Sequence, residues 1–173
     1  MKEKILQASN QKLRQKAQVV EKIDAGVKKI VKNMEQVLAE NDSALALAAP
    51  QLGISKQIVV IKEYQDKEKG LSIPSLVLIN PKIVEKSDQE IAEDEGCLSL
   101  QEPEIRGQVS RASQAKVSYQ DLAGKERKLE AEGLLARIFQ HEIDHLKGKL
   151  FVDRANPESI YRVTEGTEDG KEI

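Results

Sequence analysis

The chain has 173 residues, long enough for one domain with its own hydrophobic core, and a net charge of −2 from 27 Lys and Arg against 29 Asp and Glu. The two signs are interspersed, which argues against a nucleic-acid or anionic-membrane surface as the main partner. No apolar run approaches the length of a membrane span, Met1-Lys2-Glu3-Lys4-Ile5 lacks the apolar core of a signal peptide, and the single cysteine, Cys97, excludes an intramolecular disulfide; a reducing cytoplasm is the expected setting.

In chain order, Ile5-Leu6-Gln7 has the composition of a strand start, and 10–20 reads as loop or short turn. Asp24 is placed to cap a helix in which Val27, Ile30, Val31, Met34, Val37 and Leu38 recur at helical spacing, and Asn41-Asp42-Ser43 ends it. Residues 44–53 are small and uncharged, and Pro50 and Gly53 predict an extended segment leading into a turn. Strands are predicted over 57–61, 76–80 and 82–84, with a lysine-rich loop over 62–70. The acidic stretch 87–95 runs directly into Gly96-Cys97-Leu98-Ser99-Leu100. Alternating segments 115–120 and 125–131 flank Asp121-Leu122-Ala123-Gly124, a hairpin turn. Over 132–148 the apolar residues Leu134, Leu135, Ile138, Phe139 and Leu146 return to helical spacing, with Gly148 where a helix stops. The expectation is an α+β fold, antiparallel strands packed around a central helix that carries both histidines, in a body over 1–153 followed by a polar tail over 154–173.

That last helix contains His141-Glu142-Ile143-Asp144-His145, and these are the chain's two histidines. Four residues apart, the imidazoles leave one helical face about a turn from each other, with Glu142 one step round. This is H-E-x-x-H, two metal ligands and a carboxylate able to work on a bound water. The competing reading is a pair of histidines packing the C-terminal end of a core helix. Cys97, preceded by Gly96, offers a thiolate as third ligand, and three protein ligands leave a fourth position open as catalytic sites require. Its alternative is that of most free cysteines, a small buried hydrophobe.

Glu95-Gly96-Cys97-Leu98-Ser99 and Gln140-His141-Glu142-Ile143-Asp144-His145-Leu146 resemble the second and third signature motifs of the peptide deformylases, and Leu47-Ala48-Ala49-Pro50-Gln51-Leu52-Gly53 resembles the end of the first. Motif order and the elements between them agree over residues 5–153. The resemblance implies that Cys97, His141 and His145 bind one divalent metal, typically Fe(II), with Zn, Ni or Co as substitutes. It implies Glu142 as general base and acid, and the side-chain amide of Gln51 with the backbone N–H of Leu98 as oxyanion donors. The substrate would be a formyl-methionyl nascent peptide and the products formate and a free amino terminus. Such chemistry needs hydroxide at neutral pH, which a metal supplies by lowering the pKa of water, and a proton shuttle to the leaving amine. Leu45, Leu98, Leu134 and Ile138 would wall a slot for the methionine, or else simply fill the core. Ala44, Leu45 and Ala46 would pair with the substrate backbone as an added strand, and Arg106 matches a common arginine of the family. Arg111 could pair with Glu95.

The family's first motif usually begins Gly-x-Gly, whereas Ala44 and Ala46 stand at those positions and add two methyls to the groove. Bacterial members often end in a basic helix that approaches the ribosome; Glu158, Glu165, Glu168, Asp169 and Glu172 make this tail acidic and argue against docking by that route. The stretch Asn10-Gln11-Lys12-Leu13-Arg14 also lacks the proline often found before the leucine. The expected form is a cytoplasmic monomer acting on formylated nascent peptides. A zincin-type metallopeptidase is an alternative that wants a further ligand downstream, where no histidine follows His145. A second alternative binds formylated chains or metal without turnover, which would leave Glu142 and Gln51 little to do.

Overall fold

The computed structural model describes residues 4–101 and 104–163 and the backbone of 171–172. Glu102 and Pro103, and the tail residues Glu165, Glu168 and Asp169, lie outside the described residues. Among the described residues there are two α-helices and three antiparallel sheets.

Helix α1, Ala25–Ala39, starts where Asp24 accepts a hydrogen bond from the Val27 N–H, and it buries Val27, Val31, Met34, Val37 and Leu38. Strand β1 (Ala46–Ala48) pairs with β2 (Ile58–Ile61), β2 with β5 (Leu76–Lys86), β5 with β8 (Gln114–Gln120), and β8 with β9 (Glu126–Glu132). The four residues of β2 are all buried because this sheet is covered on both faces. Ile58 and Val60 pack with the apolar side of α1. Val59 and Ile61 face Ile138, Phe139, Ile143 and Leu146 of helix α2, Gly133–Leu146. Period-2 alternation thus sends one half of β2 to each helix.

The second sheet holds the long hairpin of β6 (Glu90–Gln101) and β7 (Glu104–Ala112), extended by β10 (Tyr161–Val163) and β11 (Lys171–Glu172). A small hairpin, β3 (Tyr64–Asp66) and β4 (Leu71–Ile73), forms the third sheet and packs Ile73 into the core beside Val59 and Ile61.

Several sequence expectations are corrected here. The loop over 62–70 contains half of the β3–β4 hairpin. The strands over 76–80 and 82–84 are one strand, bent at Asn80, whose φ is 52° and whose side chain bonds both the N–H and the C=O of Val20. The acidic stretch, for which the sequence predicts no element, enters strand β6 at Glu90, where pairing with β7 leaves Glu90, Glu93 and Asp94 exposed and turns Glu95 inward. Residues 5–7 form no strand; instead the Leu6 N–H donates to Gln51 and the Ala8 N–H to Ser99, so this segment ties two distant loops together. Among the described residues that follow Asp153, Tyr161 pairs opposite Arg106 of β7, and Arg154 bonds Asp144.

Helix α2 ends at Leu146, and Gly148, just past its cap residue Lys147, has a φ of 73° that suits a left-handed terminus. A Cβ there would stand 2.4 Å from the Arg14 carbonyl oxygen. Gly148→Ala combines positive φ with a backbone clash and should destabilise the fold by about 2 kcal/mol or more, measured by urea unfolding.

Candidate active site

The geometry begins with α2. Its four-residue spacing sets the His141 and His145 rings edge to face, centroids 5.0 Å apart. Cys97 arrives from β6. The β6–β7 register runs to Gly96 opposite Arg106 and resumes at Gln101 opposite Glu104, so 97–100 bulge out of the ladder toward the helix. Cys97 Sγ comes within 3.3 Å of His145 Nε2, and the ligand atoms of Cys97, His141 and His145 all lie within 4.8 Å of one another.

Around these three the polar groups are tightly arranged. Gln51, at the end of the 3-10 helix Ala49–Leu52, accepts the Ala48 N–H through Oε1 at 2.9 Å. That leaves its amide Nε2 3.5 Å from Cys97 Sγ and 3.3 Å from Ser99 Oγ. His141 Nδ1 meets Glu95 Oε2 at 2.9 Å, which fixes the ring and leaves Nε2 for a ligand, the carboxylate–histidine arrangement common behind metal sites. Arg111 grips Glu95 with two bonds of 2.6 and 2.9 Å, and Arg137 adds a third at 2.7 Å. Arg111 also reaches Asp144 at 2.8 Å, and Arg154 bonds the same carboxylate from outside.

Electrostatics follow from these contacts. Burial opposes ionisation of Cys97, yet His145 and His141 hold its thiol well below the ordinary range, as thiolate ligation needs. Burial pushes the Glu142 carboxyl up, partly offset by the two histidines. Glu95 is the opposite case: burial is overcome by Arg111 and His141, and its carboxyl is held far down. Glu142 Oε2 and His145 Nδ1 are buried without a hydrogen-bond partner among the described residues. A thiolate, two imidazoles and an adjacent unsatisfied carboxylate form a donor set suited to one divalent cation.

A cavity of about 280 Å³ opens at this cluster. Cys97, His141, Glu142 and Gln51 line it, while His145 lies deeper at 1% exposure. Leu45, Leu98, Leu134 and Ile138 form apolar wall, and Ala44, Ala46 and Arg106 line the same space. Neither alanine has a positive φ, so the backbone at both positions tolerates a methyl.

Sequence reasoning missed three supports. Gln7 bonds the Leu98 carbonyl and the Gln101 N–H, holding the bulge from the amino-terminal side. Gln140 exchanges two side-chain bonds with the Ala112 backbone and pins α2 to β7. Arg137 and Arg154 complete the ion network. The i and i+4 placement of Arg137 and His141 on one helix was the available signal.

Arg111→Met leaves Glu95 and Asp144 facing each other without their shared cation and should cost about 3–5 kcal/mol in unfolding experiments. Because both carboxyls are depressed in the folded chain, their stabilisation is complete well above the ordinary carboxylate range near pH 4. It is lost as pH falls through their folded values. Their contribution to the unfolding free energy should therefore be level near neutrality and decline below roughly pH 5, and that acid decline should be shallower in the variant.

Comparison with known proteins agrees with the geometry. The family model described as polypeptide deformylase matches residues 2–160. A peptide deformylase of Desulfitobacterium hafniense is 43% identical over 155 residues, covering 90% of this chain and 95% of the relative. The crystal structure of a Synechococcus elongatus peptide deformylase in complex with actinonin superposes with a TM-score of 0.79 at 41% identity, covering 88% of this chain and 80% of that one. A Met-Ala-Ser-bound class I type b peptide deformylase from Acinetobacter baumannii gives 0.80 at 32% identity, covering 87% and 96%. A match of this extent, on a chain whose cysteine and histidines converge beside Glu142, places it in the peptide deformylase family of metal-dependent enzymes that remove formyl groups from nascent peptides.

Proposed function

We propose that Cys97, His141 and His145 hold the metal in this deformylase and that Glu142, Gln51 and the Leu98 N–H carry out the reaction around it. The observation that supports this most directly is the convergence of three ligand atoms within 4.8 Å from motifs far apart in the chain. When bound, a divalent metal supplies Lewis acidity and generates hydroxide at neutral pH. Fe(II) is the metal the family resemblance implies, with Zn, Ni or Co as substitutes, and thiolate ligation lends the site its sensitivity to oxidation.

Glu142 takes the proton of the attacking water and returns it to the leaving amine as the C–N bond breaks and formate departs. Its raised carboxyl pKa moves it toward the working pH, which suits both halves of that transfer. Gln51 donates to the oxyanion that forms on the formyl carbon, and its amide does so without adding charge. Its carbonyl end is committed to Ala48, so the NH2 end is the one facing Cys97. The bulge at 97–100 takes the Leu98 backbone out of the β6–β7 register, which suits it to a second donor role. The methionine side chain fits among Leu45, Leu98, Leu134 and Ile138. Strand β1 is the outer strand of its sheet, so the peptide backbone can add along 44–46.

In this reading α2 is the centre of the molecule, residues 1–153 supply every group used in the reaction, and 154–173 are accessory. The chain acts as a cytoplasmic monomer on nascent chains near the ribosome; no helix among the described residues is long and apolar enough to cross a membrane. Cys97 supplies the third ligand that a zincin-type peptidase would take from downstream. A binder without turnover is separated by a single-turnover measurement of formate.

After anaerobic purification, Glu142→Gln should retain stoichiometric metal and release no formate from formyl-Met-Ala-Ser, whereas Cys97→Ala should lose both. Full activity in Glu142→Gln would overturn the mechanism. Gln51→Leu should lower kcat by about 100-fold or more with the metal retained. Wild-type enzyme loaded with iron should lose activity on exposure to air while a nickel-loaded sample persists.

A further inference from the structure

One row of residues crosses the second sheet and ends beside the metal ligands. Tyr161 of β10 stands opposite Arg106 of β7, and Arg106 stands opposite Gly96 of β6, the residue before Cys97. Gly96 makes room for the guanidinium: a Cβ there would be 2.9 Å from Arg106 Nη1. Arg106 Nε donates to Asp94 Oδ2 at 2.5 Å, and its Nη1 lies 3.7 Å from Glu104 Oε1. The Tyr161 hydroxyl donates to the same Asp94 oxygen at 3.0 Å. Asp94, Gly96, Glu104 and Arg106 all line the substrate cavity, and Tyr161 does not.

This cluster contributes little to stability. The Arg106 and Asp94 side chains are 35% and 36% exposed, and ion pairs so exposed are worth about 0–1 kcal/mol. What these three hydrogen-bonded side chains do achieve is orientation. With Nε committed to Asp94, and Asp94 held from behind by the tyrosine, the Nη edge of Arg106 is presented at one place in the wall. Two carboxylates beside it offset its charge, which disfavours an acidic side chain as its ligand and favours a neutral carbonyl.

We propose that Tyr161 is a positioning residue for substrate: through Asp94 it holds Arg106 so that the guanidinium donates to a backbone carbonyl of the peptide beyond its formyl-methionine. The strand that follows the catalytic body is thereby part of peptide recognition. This rests on the reading of Arg106 as a substrate-binding residue.

Formate release from formyl-Met-Ala-Ser and from the truncated formyl-methionine amide tests it in metal-replete enzyme. Tyr161→Phe keeps the ring and removes one hydroxyl. It should raise KM for the tripeptide by about threefold with kcat unchanged, and leave the truncated substrate unaffected. Arg106→Ala should raise the tripeptide KM by about tenfold, and adding Tyr161→Phe to it should change nothing more. If Arg106→Ala raises KM and Tyr161→Phe does not, the positioning role is wrong while the reading of Arg106 stands. If Arg106→Ala leaves KM unchanged, that reading fails and takes the proposal with it. A fall in kcat on both substrates, or lost metal, in Tyr161→Phe would mark a general structural role and overturn the proposal.

Discussion

The buried carboxylate of Glu95 receives four hydrogen bonds, two from Arg111 and one each from Arg137 and His141. Those donors come from β7 and from two successive turns of α2, while Glu95 itself lies on β6. A buried charge is tolerated only when it is paired and fully bonded, so the three elements are held in one relative placement or the charge is stranded. Arg111 carries the constraint on to Asp144, one residue before His145, and Arg154 closes it from the segment that follows. The orientation of the His141 ring is thus set by a network that spans the molecule. A hydrophobic contact could hold the same helix in place, but it would not fix which ring nitrogen faces the cavity.

Cys97 depends on a different device. A regular ladder would keep β6 flat against β7; the break between Gly96 and Gln101 lifts four residues out of it and brings the sulfur to the helix. A bulge needs support, and the amino-terminal segment gives it: Ala8 bonds Ser99, Gln7 bonds Leu98 and Gln101, and Leu6 bonds Gln51. Residues 6–8 therefore register the Gln51 turn against the Cys97 bulge. The two groups assigned to the developing oxyanion are held by one strip of chain, which is the preorganisation such catalysis requires.

Local physics made part of this legible in advance. Helix α1 follows from a capping aspartate and an apolar stripe, and the β8–β9 hairpin from alternation around a glycine-containing turn. Positions four apart on a helix share a face whatever the rest of the chain does, so the pairing of His141 with His145 was readable from spacing. Strand β6 was not, because its exposed face is acidic and its apolar alternation is broken by Glu95. The β3–β4 hairpin was hidden by lysines on a segment that is solvated on one side. Arg111 does meet Glu95, but nothing local distinguishes that pair from other pairs of opposite charge.

The sequence by itself determined which chemistry is available, since residue type and helical period fix two imidazoles and a carboxylate on one turn, and three ordered motifs identify the family. Only the tertiary structure decided that the thiol reaches those rings, that Gln7 and Arg137 serve the site, and that Tyr161 lies behind its wall. The reason is one of range. Helical period and capping act over a few residues, whereas strand register, a ladder bulge and a buried ion network join segments whose separation along the chain carries no information about distance in space.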